Sequence, residues 1–118
     1  MKTESFDLND LFNLQADFCS IFQNAIRLKI LWNLKSQEKS VSELCAALGV
    51  SMSNVSQHLR IMKDRRILIS RKEGQRIYYR ITNEKFIQGP SLVREGIVEV
   101  YGLDRQWFKK IQSSDVNT

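Results

Sequence analysis

Proline occurs once, histidine once and cysteine twice in this chain of 118 residues. Two cysteines, Cys19 and Cys45, cannot build the disulfide framework of a small secreted domain. One histidine, His58, leaves no His-based metal site within a single chain, because zinc takes four N or S ligands and only His58 and two thiols are on offer. No apolar run is long enough to span a bilayer. The N-terminus carries Glu4, Asp7 and Asp10 and lacks a basic leader, so secretion is not expected and the cytoplasm is the expected location. No phosphate loop, nucleophile–base pair or paired carboxylates are found, so neither an enzyme nor a cofactor is expected.

What is present is positive charge, unevenly spread. Residues 27–85 hold 13 Lys/Arg against 5 Asp/Glu, a net of +8, and the flanks hold 5 against 8, a net of −3. Such a basic segment suits phosphate contacts, although a total of +5 is also ordinary solubilising charge.

Leu8, Leu11, Phe12, Phe18, Cys19, Phe22 and Ile26 recur at helical spacing and predict a first helix over residues 8–26. Phe12, Phe18 and Phe22 on one helix favour a face shared with a second subunit over core packing alone. Asn24 either ends that helix or caps the next, whose stripe is Ile26, Ile30, Leu31 and Leu34; Arg27 and Lys29 lie off the stripe. Ser36-Gln37-Glu38-Lys39 is a polar connection.

Residues 40–63 carry the sharpest pattern. Ser40 and Glu43 form a capping box, Val41, Leu44, Cys45 and Leu48 line one face, and Gly49 ends the helix. Ser51 caps the next helix only two residues later. That short joint is a helix-turn-helix. In the second helix Val55, Leu59 and Met62 point inward. Ser53, Asn54, Ser56, Gln57 and Arg60 point outward. These are short or planar hydrogen-bonding groups, able to read base edges in a major groove, where a merely solvated face would carry more Glu and Lys. His58 sits at the margin of the apolar face, as a packing group or a phosphate contact.

Residues 67–82 read as a hairpin around Glu73-Gly74-Gln75, with Arg71, Lys72, Gln75 and Arg76 clustered at its tip. Beside a helix-turn-helix, such a basic hairpin is a wing that straddles the DNA backbone. Beyond Asn83, Gly89-Pro90 marks a break or a kink. Val93, Ile97, Val100, Tyr101, Trp107, Phe108 and Ile111 predict a last helix over 91–112, the natural dimer partner of the first. Close helix approach would offset the cost of Gly96 and Gly102 in its interior. Residues 113–118 are expected to be a disordered tail.

The expected fold is a single winged helix-turn-helix domain over 1–118, mainly α with a small β-hairpin. It dimerises through its first and last helices. Phe12, Phe18, Phe22, Val93, Ile97, Val100, Tyr101, Trp107 and Phe108 are the candidate interface. Ser51, Ser53, Asn54, Ser56, Gln57, His58, Arg60, Arg71, Lys72, Gln75 and Arg76 are the candidate DNA contacts.

Three segments in order, Asn24–Leu31, Ser40–Lys63 and Glu73–Thr82, resemble the ArsR/SmtB repressors. The resemblance spans roughly residues 10 to 110. It implies a homodimer on an operator of twofold symmetry, acting as a repressor released by an inducer, often a metal or metalloid. The chain departs from the family's sensing motifs. Metal sensors carry Glu-Leu-Cys-x-Cys, where this chain has Glu43-Leu44-Cys45-Ala46-Ala47. Zinc sensors place histidines on the last helix, where this chain has none, and the sulfide-sensing cysteine regions hold Trp32 and Val100-Tyr101. Cys19 and Cys45 are either inert packing thiols or, as some family members imply, a site shared between subunits for arsenite or another soft metal. A winged helix serving only protein–protein assembly is the alternative to DNA binding.

Overall fold

The computed structural model describes residues 6–102, and the expectations for Trp107, Phe108, Ile111 and the tail 113–118 lie outside them. Five helices and three strands follow in the order α1 (Leu8–Cys19), α2 (Ala25–Asn33), β1 (Lys39–Ser40), α3 (Val41–Leu48), α4 (Met52–Asp64), β2 (Leu68–Glu73), β3 (Arg76–Ile81) and α5 (Lys85–Val100). None of these helices is long and apolar enough to cross a membrane.

The core forms where the inward stripes meet. Ile30, Leu31 and Leu34 of the α2 region, Leu44 and Leu48 of α3, and Val55, Leu59 and Met62 of α4 are all buried, joined by Ile67, Leu68, Ile81 and Ile87. The expected inward residues of the helix-turn-helix are therefore its core. Ser40 accepts from the Glu43 amide at 3.1 Å, and Glu43 Oε1 accepts from the Ser40 amide at 2.8 Å. The Ser40 amide first, and the Ser40 hydroxyl second, hold the Glu43 carboxyl below the usual carboxylate range. Gly49 takes φ 66°, the left-handed turn that stops α3, and Ser51 caps α4 through the Asn54 amide.

Three boundaries differ from the expectation. The first helix does not run over 8–26. It ends at Cys19, gives way to a single 3-10 turn at Ser20–Phe22, and restarts at Ala25. Ser20 Oγ donates to the Asp17 carbonyl at 2.7 Å, and Asn24 Oδ1 accepts from the Arg27 amide at 3.0 Å, so side chains terminate one helix and cap the next. Phe22 thus lies in the turn and Ile26 in α2.

The last helix begins at Lys85 rather than near residue 91, with Pro90 inside it. Asn83 Oδ1 takes the Lys85 amide, and the Asn83 and Glu84 carbonyls take those of Phe86, Ile87 and Gln88. Ile87 is buried and anchors that first turn. Pro90 removes one helical hydrogen bond, at a cost of about 3 kcal/mol in a helix interior, which the packing of Ile87 and Phe86 helps to offset. At its other end α5 stops at Val100, and Gly102 has φ 64°, so Gly102 is a helix terminator and not an interior residue.

The hairpin is one strand richer than expected. Lys39 and Ser40 pair with Tyr79 and Tyr78, making a three-stranded antiparallel sheet of order β1-β3-β2. Glu73 pairs with Arg76, leaving Gly74-Gln75 as a two-residue loop with Gly74 at φ 62°. Positive φ at the first loop residue is what a type II′ hairpin demands.

Candidate nucleic-acid interface

The outward face of α4 is as expected from its period. Ser53, Ser56, Gln57 and Arg60 are exposed and Asn54 half-buried, opposite the buried Val55, Leu59 and Met62. Ser51 is also exposed, but its hydroxyl is engaged as the cap of α4 and lies 3.3 Å from Ser53 Oγ. Gln57 and Arg60 are therefore the long hydrogen-bonding side chains of this face.

His58 belongs to the packing margin of the helix. Its Nδ1 accepts from Arg27 Nη1 at 3.2 Å, while Arg27 Nε donates to the Ile21 carbonyl at 2.7 Å. Arg27, off the apolar stripe of its helix, ties the turn after α1 to α4. Burial first, and the Arg27 charge second, push the His58 pKa below its usual value of about 6.5. The unfolded chain then binds the proton more readily than the folded one. His58 therefore does not penalise folding above pH about 6.5, and stability falls as pH drops through that value toward the lowered folded pKa. Urea midpoints of the wild type should decline more between pH 7.5 and 5.5 than those of His58→Gln. Parallel declines would show that His58 does not carry the effect.

In the hairpin, Lys72, Gln75 and Arg76 are exposed, and neither cation forms an ion pair among the described residues. Arg71 differs: its guanidinium binds Glu38 and Glu73 and lies 4.6 Å from the centre of the Tyr78 ring. Glu38 gave no signal in the sequence, because its partner lies 33 residues away.

The proposed interface residues form a second surface. α1 has no buried residue at all, although its apolar spacing is amphipathic. Phe12 is 59% exposed, beside exposed Leu8, Leu11 and Leu14. On α5, Val93, Ile97 and Val100 are exposed, with Val100 at 82%, as is Tyr101 just after the helix. Phe18 and Phe22 instead pack on the core, the Phe18 ring lying 5.1 Å from Phe86 and 6.1 Å from Phe22. Apolar surface of this extent, left uncovered on two neighbouring helices, is of the kind that marks an interaction surface. Between them runs a groove of about 670 Å³ that Cys19 borders. Cys19 and Cys45 are both free and half-buried. No cluster of three or more His, Cys, Asp or Glu side chains able to hold a metal occurs among the described residues.

The sequence pattern described as "bacterial regulatory protein, arsR family" matches residues 24–70. The chain is 34% identical over 76 residues to the HTH-type transcriptional regulator KmtR of Mycobacterium tuberculosis, covering 64% of this chain and 58% of KmtR. It thus spans little more than half of that relative's length. It is 30% identical over 91 residues to the nodulation protein NolR of Rhizobium meliloti, covering 77% of this chain and 71% of NolR. Among solved structures, it is similar to the homodimeric winged helix-turn-helix DNA-binding domain of a possible ArsR-family regulator from Mycobacterium bovis. That likeness has a TM-score of 0.72 at 28% identity and covers 89% of this chain and 97% of that one.

Proposed function

Because the chain belongs to the ArsR family of bacterial regulatory proteins, we propose that it is a homodimeric, sequence-specific DNA-binding repressor. The observation that carries this reading is the outward α4 face of exposed Ser53, Ser56, Gln57 and Arg60 with half-buried Asn54, set on a helix whose other side is core. In the proposed complex α4 enters the major groove, with Gln57 suited to adenine and Arg60 to guanine. Lys72 and Arg76 neutralise flanking phosphates from the hairpin, and Gln75 adds a neutral donor. The dimer forms through α1 and α5, and its twofold axis calls for an operator of matching symmetry.

The proposal extends to an inducer. A soft thiophile such as arsenite would be held by Cys19 of one subunit and Cys45 of the other. Both thiols are free and partly open, and Cys19 borders the groove beside the uncovered α1 and α5 surface, where a second subunit would sit.

Fluorescence anisotropy of the purified protein on DNA from upstream of its own gene, at two salt concentrations, tests the first part. Selective binding that weakens steeply with salt is the expected result. Loss of that binding with arsenite in the wild type, but not in Cys19→Ser, is expected for the second. Binding indifferent to arsenite leaves the thiols as packing groups. No selective binding at either salt concentration overturns the repressor reading in favour of a protein-assembly module.

A further inference from the structure

Arg71 stands in the cluster that a sequence reading assigns to phosphate, yet its guanidinium is already paired with two carboxylates and lies against an aromatic ring. Nε donates to both Glu38 oxygens at 3.1 and 3.0 Å, Nη2 donates to Glu38 as well, and Nη1 donates to Glu73 at 3.3 Å. One of its flat faces lies over Tyr78, the residue directly opposite on β3.

The location matters as much as the contacts. Glu38 immediately precedes β1, and β1 supports the hairpin only at Tyr79 and Tyr78. Ser40, which pairs with Tyr78, is also the cap of α3. Beyond the Arg71–Tyr78 rung the hairpin continues as Lys72 to Ile77 with no strand beside it among the described residues. A two-stranded ribbon of that kind is marginal by itself. The Glu38–Arg71 tie therefore sits where support for the hairpin ends.

We propose that Glu38 is a positioning residue for the wing: through Arg71 it sets the hairpin against the start of the helix-turn-helix, and Arg71 is a strut rather than a phosphate contact. The inference rests on the reading of the hairpin as a DNA-contacting wing. A lone exposed ion pair contributes little. Here a bidentate carboxylate, a second carboxylate and an aromatic face share one planar group, which makes the arrangement a network with defined geometry. Arg71, and Arg80 more weakly, hold the Glu38 carboxyl below its usual pKa, so the tie stays ionised at neutral pH. A wing held in place spares the complex the cost of ordering it on binding.

An acid near DNA repels phosphate, so the sign of its removal is informative. Operator binding would be measured by anisotropy across a salt series for the wild type, Glu38→Gln, Arg71→Gln and the charge swap Glu38→Arg with Arg71→Glu. Each single variant is expected to bind about fivefold more weakly, with an unchanged salt slope, and the swap to recover most of that loss. The proposal is overturned if Arg71→Gln reduces the slope by about 0.9, one phosphate's worth, while Glu38→Gln binds as well as or better than wild type. Amide hydrogen exchange of Lys72 to Ile77 in the free protein supplies a readout independent of DNA. Faster exchange in Glu38→Gln is expected, and unchanged exchange defeats the strut even if the wild type binds no operator.

Discussion

Replacing Gln57 and Arg60 together with Ala is expected to lower operator affinity by roughly 30- to 25,000-fold, while affinity for unrelated duplex falls far less. The reason is the difference between reading and holding. A well-placed bidentate contact to a base edge discriminates by about 1–3 kcal/mol, and two such contacts at separate bases add approximately. Phosphate contacts from the hairpin remain and continue to supply sequence-independent binding. Both side chains are exposed on the face of α4 opposite Val55, Leu59 and Met62, so their truncation leaves the core intact. Anisotropy on operator and scrambled duplexes, with circular dichroism to confirm the fold, gives the ratio directly. An unchanged ratio would mean that these two residues do not read bases.

The second large effect concerns assembly. The pair Ile97→Asp and Val100→Asp is expected to yield a folded monomer by sedimentation and to reduce operator binding by roughly 10²- to 10⁴-fold, the advantage that linking two half-site readers confers. Neither residue belongs to the buried cluster, and both are exposed on α5, so two carboxylates there meet water in the monomer. In the proposed dimer they would be buried without partners, which is costly. A double variant that stays dimeric and binds normally would move the interface away from this part of α5.

The helix-turn-helix was readable because its signals are local. Ser40 with Glu43, Gly49 and Ser51 each act on backbone groups within a few residues, and the stripe Leu44, Leu48, Val55, Leu59, Met62 reports burial through helical period alone. The end of α4 was not readable in this way. It closes with Arg66 at φ 62°, whose amide donates to the Lys63 carbonyl while that of Ile67 donates to Met62. That Schellman geometry normally advertises itself with glycine, and here an arginine accepts the strain.

The longer apolar patterns misled at their ends. Phe22 and Ile26 continued the spacing of α1 in the sequence, but spacing cannot report a cap, and Ser20 and Asn24 divide the segment. Gly89-Pro90 reads as a break or a kink with the last helix beyond it, yet the burial of Ile87 extends α5 in front of Pro90. In both cases the deciding interaction was one that a local pattern leaves unweighted: a competing side-chain hydrogen bond in the first, a long-range contact in the second.

By itself, then, the sequence determined the helix-turn-helix, the basic hairpin and the polar face of α4, because caps, turn glycines and amphipathic period act over a few residues. Only the tertiary structure decided which charges on that frame are free. Arg27 is drawn to His58 and the Ile21 carbonyl, and Arg71 to Glu38 across 33 residues of chain, whereas Lys72 and Arg76 make no ion pair among the described residues. Residues of one charge and one neighbourhood in sequence differ in their pairing because ion pairing depends on distance in space, and that distance is set by how the helices and the three-stranded sheet pack.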